Sequence, residues 1–333
     1  MKKLFSMILT IAILLSLTAG SCMATASENL YPRTITDHAG REVVIEEQPE
    51  SLISTYYITT SLLIALDLDD ELAGIEEKAN QRPLYARSIP ELLELPWVGT
   101  AKAVDLEVCA AVAPDLAILP MKAKDYADQL EALGISVILV NPESQELLFE
   151  MIDMVSTATG TEEKAAELTA FIGNLEAQLT EAMNEVDRPS VYLCGNSSFL
   201  STAGSAMYQS DMIRLAGGVN VAAAIEDTYW AEIDYEQLLA WNPEYIILPS
   251  SAKYTVEDIM ADPNLSACTA VVNKNVYQFP NDAEAWDSPV PSSILGALWL
   301  ANILHPEQLS AETCAAAMNE YYETFYNFTY AEN

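Results

Sequence analysis

Aromatic and basic side chains stand at or near the ends of the predicted strands of this chain, and together they could hold a bulky ligand. Aromatic rings stack against a partly apolar molecule, and a few hydrogen-bonding groups fix its orientation. Each aromatic residue taken alone could equally pack in a core, so the prediction rests on the set. The predicted ligand-binding residues are Tyr56, Tyr57, Arg82, Tyr85, Tyr208, Trp230 and Trp286.

One sequence pattern occurs twice, at residues 105–120 and at residues 234–249. The two stretches read DLEVCAAVAPDLAILP and DYEQLLAWNPEYIILP, and both fit D-x-E-x-x-x-A-x-x-P-[DE]-x-x-I-L-P without a gap. Each copy predicts a short helix, a proline turn and a buried strand. Repetition of such a unit indicates two similar α/β lobes. Because helix–proline–strand units are common, convergence stays open as an alternative.

Glu107 and Glu236 occupy the same position in the two copies, each two residues after an aspartate that can cap its helix. One interpretation is that a first-turn carboxylate simply stabilises the helix dipole. The other is that one carboxylate from each lobe contacts a near-symmetric partner with two basic sockets, where arginine would form charge-assisted pairs. The second interpretation predicts a docking surface.

The sequence carries no recognisable catalytic motif. It lacks the G-x-S-x-G, Walker and H-E-x-x-H patterns, so we predict that the protein is not an enzyme and has no resident cofactor. His38 and His305 are its two histidines, which excludes a three-histidine zinc site, and we predict no metal site in the chain itself. The formal net charge of −34 argues against a nucleic-acid partner.

The first residues are typical of an export signal. Lys2 and Lys3 precede the apolar run LFSMILTIAILLSLTAG, so residues 1–26 are predicted to be a signal peptide. Residues 19–22 resemble a lipobox, which predicts lipidation of Cys22 and a membrane-anchored lipoprotein. Cleavage at residues 24–26 would instead release a periplasmic protein. An uncleaved anchor is disfavoured because the apolar run is short for a membrane span.

Length and cysteine content fit a stable protein of two domains. A chain of 333 residues with 51% hydrophobic residues can build full cores. The cysteines beyond Cys22 show no C-x-x-C spacing, and a chain of this size does not need disulfide bonds for stability. We therefore predict buried thiols, with a Cys268–Cys314 bridge as the alternative.

Helices alternate with short β-branched strands in both halves, which predicts mostly parallel, covered sheets. Between the halves, residues 161–186 repeat apolar residues at helical spacing without a proline, which predicts one long helix. Thr161 could cap its start, and Arg188-Pro189 would end it. The predicted α/β fold has two Rossmann-like lobes joined by one long bridging helix. The N-terminal lobe would cover residues 31–160, the bridge residues 161–187 and the C-terminal lobe residues 188–330.

Several longer stretches, taken together, resemble the signatures of one family. They are YPRTITDHAGREVVIEEQPESLIS, VGT with DLEVCAAVAPDLAIL, TAGSAMYQSDMIRLAGGVNVA, DYEQLLAWNPEYIIL and WDSPVPSSILGALWLANILHPE. Over residues 31–328 the chain resembles the substrate-binding proteins of ABC importers for iron–siderophores, haem and cobalamin. The resemblance implies ligand binding between two lobes with little hinge motion, and delivery of the ligand to a permease dimer.

The resemblance also implies roles for particular residues. In the family one glutamate per lobe docks on permease arginines, and Glu107 and Glu236 match those positions. Trp230 stands near the position where cobalamin-binding members place a cleft tryptophan. The implied cargo is an iron chelate, with a ferric siderophore first and haem or a corrinoid next. Haem would need a tyrosine ligand such as Tyr56 or Tyr57.

We therefore expect an exported monomer with a lipid anchor that carries a small-molecule metal complex to an ABC permease. An anionic cargo would require basic residues in the cleft, such as Arg82, Lys122 or Lys253. One alternative is a two-lobed chelatase-like enzyme, which would need a proton acceptor such as His38 or His305 in the cleft. Another is a ligand-sensing receptor subunit.

Overall fold

The computed structural model describes residues 30–226 and 230–331. The predicted signal peptide, with Cys22, therefore lies outside the described residues. Within these ranges no helix combines the length and the apolar character needed to cross a membrane. The described cysteines, Cys109, Cys194, Cys268 and Cys314, are all buried free thiols, so the alternative of a Cys268–Cys314 bridge is wrong.

The first half of the chain, before the long helix, folds around a parallel sheet. Its elements are β1 Arg33–Thr36, β2 Glu42–Ile45, β3 Leu52–Ser54, α1 Tyr57–Ala65, β4 Leu72–Gly74, α2 Pro83–Ser88, β5 Gly99–Thr100, β6 Ala103–Val104, α3 Leu106–Val112, β7 Leu116–Pro120, α4 Ala127–Glu131, β8 Ser136–Val140 and α5 Gln145–Thr159. The sheet has the strand order β4-β3-β7-β8 with every pairing parallel. Strand β7 is buried at every position, as expected for a parallel sheet covered on both faces.

The second half follows the long helix α6 Glu162–Ala182. Its elements are β9 Ser190–Leu193, β10 Ser201–Ala203, α7 Tyr208–Leu215, β11 Val219–Asn220, β12 Trp230–Glu232, α8 Tyr235–Trp241, β13 Tyr245–Leu248, α9 Val256–Met260, α10 Thr269–Val272, β14 Val276–Gln278, α11 Ile294–Leu304 and α12 Ala311–Tyr326. A second parallel sheet has the order β11-β9-β13-β14. Antiparallel pairs β1-β2, β5-β6 and β10-β12 lie outside the two parallel sheets.

The two parallel sheets share one topology, because β3, β4, β7 and β8 correspond in order to β9, β11, β13 and β14. In both sheets the second strand lies on one side of the first strand and the third lies on the other. Ligands of open α/β sheets bind beyond the carboxyl ends of the strands at such a switch point. The residues that follow β3 and β13 are therefore the expected walls of a ligand site. The predicted α/β class with two similar lobes joined by a helix is confirmed.

Helix α6 is shorter than predicted at both ends. Thr161 makes no side-chain hydrogen bond to the helix; its hydroxyl lies 2.9 Å from that of Thr159. The helix ends at Ala182 rather than at Arg188, whose guanidinium donates to the Met183 carbonyl at 3.4 Å. With 21 residues, α6 is about 32 Å long, and its apolar stripe is buried.

The last helix packs back against the first half of the chain. The Tyr326 hydroxyl on α12 lies 2.9 Å from the Ser61 hydroxyl on α1. Leu62 of α1, Ile172 of α6 and Tyr321 of α12 belong to one continuous hydrophobic core. The two halves are therefore connected through α12 as well as through α6, a contact that the predicted lobe limits do not include.

Candidate functional site

A cavity of about 350 Å³ lies between the two halves of the chain. Tyr57, which follows β3, and Ser251, which follows β13, both line it, so it lies where the sheet topology places a ligand. Residues 77–85 complete the wall from the first half, and residues 281–285 complete the wall from the second. The Leu84 amide donates to the Ala283 carbonyl at 3.1 Å, which joins the two walls directly.

Arg82 offers this cavity an unpaired cation. It sits between a short turn and Pro83, the first residue of α2, with its own backbone extended. Its guanidinium carbon lies 4.0 Å from the centre of the Tyr57 ring. Among the described residues its side chain has no hydrogen-bond acceptor and no carboxylate within ion-pair distance. Stacking uses only the face of the guanidinium, so its N–H donors remain available to an anion.

Two buried carboxylates, one from each half, stand near Arg82. Thr60 and Tyr85 donate to Glu76 at 2.7 Å each. Ser61 and Ser292 donate to Glu284. Because Thr60 and Ser61 are consecutive residues of α1, one helix fixes the orientation of both carboxylates.

Burial raises the pKa of both Glu76 and Glu284, while the donated hydrogen bonds and the Arg82 charge act in the opposite direction. The hydroxyl donors satisfy the carboxylates without an ion pair. Arg82 is therefore close enough to influence both groups but is not neutralised by either of them.

Three of the predicted ligand-binding residues, Tyr57, Arg82 and Tyr85, line this cavity. Trp286 does not, because it is 1% exposed and its indole N–H donates to the Tyr322 hydroxyl at 2.8 Å. Its only polar atom is thus already paired, and its ring belongs to the packing behind the cavity wall. A ligand role for Trp286 therefore has no support from the cavity lining and stays a prediction.

Tyr56, Tyr208 and Trp230 lie outside the cavity lining. Tyr56 is half-buried and packs edge-on to Tyr57 with ring centres 5.4 Å apart. The Tyr208 amide donates to the Glu143 carbonyl at 3.2 Å, which forms another contact between the halves. Trp230 is 38% exposed on β12. A ligand role for these three residues stays a prediction.

The basic and acidic residues at the cavity differ from those that the sequence suggested. Lys78, with a left-handed backbone at φ 68°, lines the cavity beside Arg82. Lys122 instead lies 3.8 Å from the Glu143 carboxylate, and Lys253 is exposed elsewhere. Glu284 was missed because nothing in the sequence separates it from the rest of the 49 acidic residues.

The two predicted docking glutamates occupy equivalent sites. Glu107 lies in the first turn of α3, whose cap Asp105 accepts from two backbone amides. Glu236 lies in the first turn of α8, whose cap Asp234 accepts from the Gln237 amide. Both glutamates are exposed, and neither forms an ion pair with any residue that the structure describes. The sequence repeat thus produces the same local structure twice, with a free carboxylate on each half.

Neither histidine approaches the cavity. The Nδ1 atom of His38 accepts from the Asn141 amide at 2.6 Å, and burial lowers the pKa of the ring. The Nε2 atom of His305 lies 3.2 Å from the Gly217 carbonyl oxygen. Across residues 30–226 and 230–331 no group of three or more histidine, cysteine, aspartate or glutamate side chains is arranged to bind a metal ion. The proton acceptor that a chelatase would need is therefore not supplied by a histidine.

Comparisons with known proteins agree with this geometry. The molybdate-binding protein MolA of Haemophilus influenzae is 25% identical over 97% of this chain and 97% of its own length. A vitamin B12-binding protein of Salmonella choleraesuis is 26% identical over 66% of this chain and 80% of its length. The ferric enterobactin-binding periplasmic protein FepB of Escherichia coli is 27% identical over 74% of this chain and 83% of its length.

A solved structure of the Haemophilus influenzae protein MolA with molybdate has the same fold, with a TM-score of 0.80 at 24% identity, covering 90% of this chain and 100% of that one. These relatives are transport-associated binding proteins of ABC importers rather than enzymes. The sequence profile described as periplasmic binding protein matches residues 52–283. The chain therefore belongs to the periplasmic binding protein family.

Proposed function

We propose that this protein captures a small anionic metal complex in the cavity between its halves and delivers it to an ABC permease. The observation that carries the proposal is Arg82, a half-buried cation that lines the cavity without an acceptor among the described residues. A ferric chelate with free anionic groups, such as a small ferric siderophore, is the first candidate. A metal oxyanion is the second, favoured by the similarity to the molybdate-binding relative along almost the whole chain.

The groups that line the cavity matter more for an anionic ligand than the net charge of the whole chain. A net charge of −34 would repel an anion at long range. Salt screens exposed charges beyond roughly 8 Å at physiological ionic strength, so the groups in direct contact decide the outcome. Arg82 and Lys78 are the basic groups of the cavity lining, and Glu77 and Glu284 are the acidic ones. Hydroxyl donors shield the Glu284 carboxylate, whereas the Arg82 guanidinium has no such partner among the described residues.

Cavity size and tyrosine environment favour a small cargo over haem or a corrinoid. A volume of about 350 Å³ is near the lower end of the range of roughly 300–1,000 Å³ for ligand pockets. Burial raises the pKa of Tyr57, and the Arg82 guanidinium covers its ring. Tyr57 is thus poorly placed to become the phenolate ligand that haem would require.

A binding screen tests the proposal directly. Purified protein should be measured by calorimetry and thermal shift against ferric citrate, molybdate, haem and cobalamin. An anionic ligand at about 100 times its Kd should stabilise the fold by roughly 2.7 kcal/mol. Haem and cobalamin should bind more weakly than the best small anion.

The Arg82→Gln variant tests whether Arg82 itself binds the anion. It should weaken binding of the anionic probe about 10- to 100-fold, because charge-assisted hydrogen bonds are lost. Arg188→Gln is the matched control, since it removes the same charge from an exposed position outside the cavity. Equal affinities of the two variants for the anionic probe would show that Arg82 does not bind it. Tight binding of haem or cobalamin alone would overturn the proposed cargo.

The proposal includes export and a lipid anchor at Cys22, which the lipobox-like residues 19–22 support. Incorporation of labelled fatty acid into the chain tests this step. A soluble product that begins at residue 27 would instead support cleavage after residues 24–26.

A further inference from the structure

The five residues 327–331 that follow α12 form a short segment, here named the strap, that crosses from the second half of the chain to the first. Asn327 ends α12 with a left-handed backbone at φ 58°. The Arg87 guanidinium on α2 donates to the Tyr330 carbonyl at 2.7 Å and to the Thr329 carbonyl at 3.0 Å. Arg87 also lies 4.3 Å from the centre of the Phe328 ring. The strap is thus attached to the first half through one arginine.

The same strap is attached to the loop 281–286 of the second half. The Tyr330 hydroxyl donates to the Asp282 carboxylate at 2.8 Å. The Tyr330 ring lies 5.3 Å from the Trp286 ring, centre to centre. Arg87 on α2 also donates to the Asp282 carbonyl of this loop at 3.3 Å. Arg87, Asp282 and Tyr330 therefore join α2, the loop and the strap at one point.

Both segments that the strap joins are walls of the ligand cavity. In the loop, Asp282 and Trp286 contact the strap while Ala283 and Glu284 line the cavity. In the other wall, residues 82–85 line the cavity and Arg87 holds the strap. These walls also meet without the strap, through the hydrogen bonds from the Leu84 amide to the Ala283 carbonyl and from the Arg87 guanidinium to the Asp282 carbonyl.

From this geometry we infer that the strap is a clasp that holds the two cavity walls together and sets how long a ligand stays bound. Arg87 and Tyr330 are positioning residues: they touch no ligand, and they act through α2 and the loop 281–286. A binding protein must open to release its cargo, and the residues that resist opening determine the dissociation rate. The inference rests on the proposed function only in the identity of the ligand.

The first test measures hydrogen exchange in the ligand-free full chain, so it does not depend on the identity of the cargo. Tyr330→Phe removes the bond to Asp282 and keeps the ring. A truncation after Asn327 removes residues 328–331 of the strap. In both variants, amide exchange in the peptides covering residues 83–88 and 281–286 should rise about tenfold, as expected for loss of a hydrogen bond to a charged group.

Tyr235→Phe is the matched control, because the Tyr235 hydroxyl donates to the Asp262 carboxylate at 2.7 Å in a region outside the cavity. It removes the same type of bond and should leave exchange in both walls unchanged. If exchange in Tyr330→Phe rises only within α12 and the strap, or nowhere, the segment is ordinary packing and the clasp is wrong.

The second test measures dissociation of ferric citrate by stopped flow. Tyr330→Phe should raise the dissociation rate about tenfold with little change in the association rate, whereas Tyr235→Phe should change neither. An unchanged dissociation rate would overturn the clasp even if the walls exchanged faster. If the wild-type protein does not bind ferric citrate, the failure concerns the proposed cargo, and the exchange measurement alone decides on the clasp.

Discussion

Arg82 is kept available for an anion because its neighbouring carboxylates are satisfied by hydroxyl groups. Glu76 accepts from Thr60 and Tyr85, and Glu284 accepts from Ser61 and Ser292. An ion pair of Arg82 with either glutamate would neutralise the cation and leave little for a ligand. The buried hydroxyl groups thus separate charges that would otherwise pair. Burial of these polar groups costs free energy of folding, and we propose that their role is to keep Arg82 available to a ligand.

The raised pKa values of Glu76 and Glu284 predict an unusual dependence of stability on pH. A carboxyl group whose pKa is higher in the folded state binds protons more tightly there. It therefore contributes stability that is present below the unfolded pKa and is lost as pH rises through the folded pKa. Compared with the wild type, the double variant Glu76→Gln/Glu284→Gln should become relatively more stable as pH rises from about 4 to 8.

Urea unfolding at several pH values measures this difference. The double variant Glu91→Gln/Glu257→Gln, which changes two exposed glutamates, is the control for net charge. A free-energy difference between the Glu76/Glu284 variant and the wild type that stays constant across the range would show that burial does not shift these two groups.

Sequence reasoning identified part of the cavity and missed the rest for a physical reason. Tyr57 was predicted because it follows the first core strand, and Arg82 and Tyr85 because they stand in a loop. Glu284 and Ser61 were not, because their role depends on a contact across 223 positions of sequence. The packing of Trp286 was also not predictable, since a tryptophan in a loop is typical of both packing and ligand binding, and its partner Tyr322 is 36 positions away.

At the scale of elements, the internal repeat was predictable because its signals are local. In both copies an aspartate caps the helix, the helix ends at a non-glycine residue with a left-handed backbone, and a buried strand follows. The end residues are Ala113 at φ 50° and Asn242 at φ 43°. The packing of α12 on α1 was not predictable, because amphipathic periodicity shows which face is buried but not which element covers it.

Replacing a glycine by alanine should raise the unfolding free energy in α6 and lower it in α11. In α6, a Cβ added at Gly173 would meet no atom within 4 Å. Gly173→Ala should therefore raise the unfolding free energy by about 0.5–1 kcal/mol through helix propensity. In α11, a Cβ at Gly296 would lie 2.8 Å from the Trp286 carbonyl oxygen. Gly296→Ala should lower the unfolding free energy by about 1–3 kcal/mol.

Chemical denaturation of both variants beside the wild type measures the two effects. An increase for Gly173→Ala together with a decrease for Gly296→Ala is the expected pattern. If both variants lost stability equally, position 173 would have to be packed against other atoms, which would contradict the exposure of Gly173.

At the scale of the whole molecule, two separate sheets of the same topology give the protein two equivalent outer surfaces and one shared cavity. The cavity combines residues from both halves, so a ligand is contacted by both at once. The outer surfaces carry Glu107 on α3 and Glu236 on α8, each at a capped helix start. Since the two carboxylates lie at equivalent positions of a repeated unit, a partner with two equivalent basic sites could contact both. We propose that this partner is the permease dimer, as the family resemblance implies.

Charge reversal tests this arrangement in cells that import the cargo. The double variant Glu107→Arg/Glu236→Arg should abolish uptake, because two attractive pairs with basic residues become repulsive. Affinity for the anionic probe should stay unchanged, since neither residue lines the cavity. The control is Glu146→Arg/Glu257→Arg, which reverses exposed first-turn glutamates of α5 and α9, one in each half. Uptake that survives in the first variant, or that is lost equally in the control, would show that docking does not depend on Glu107 and Glu236.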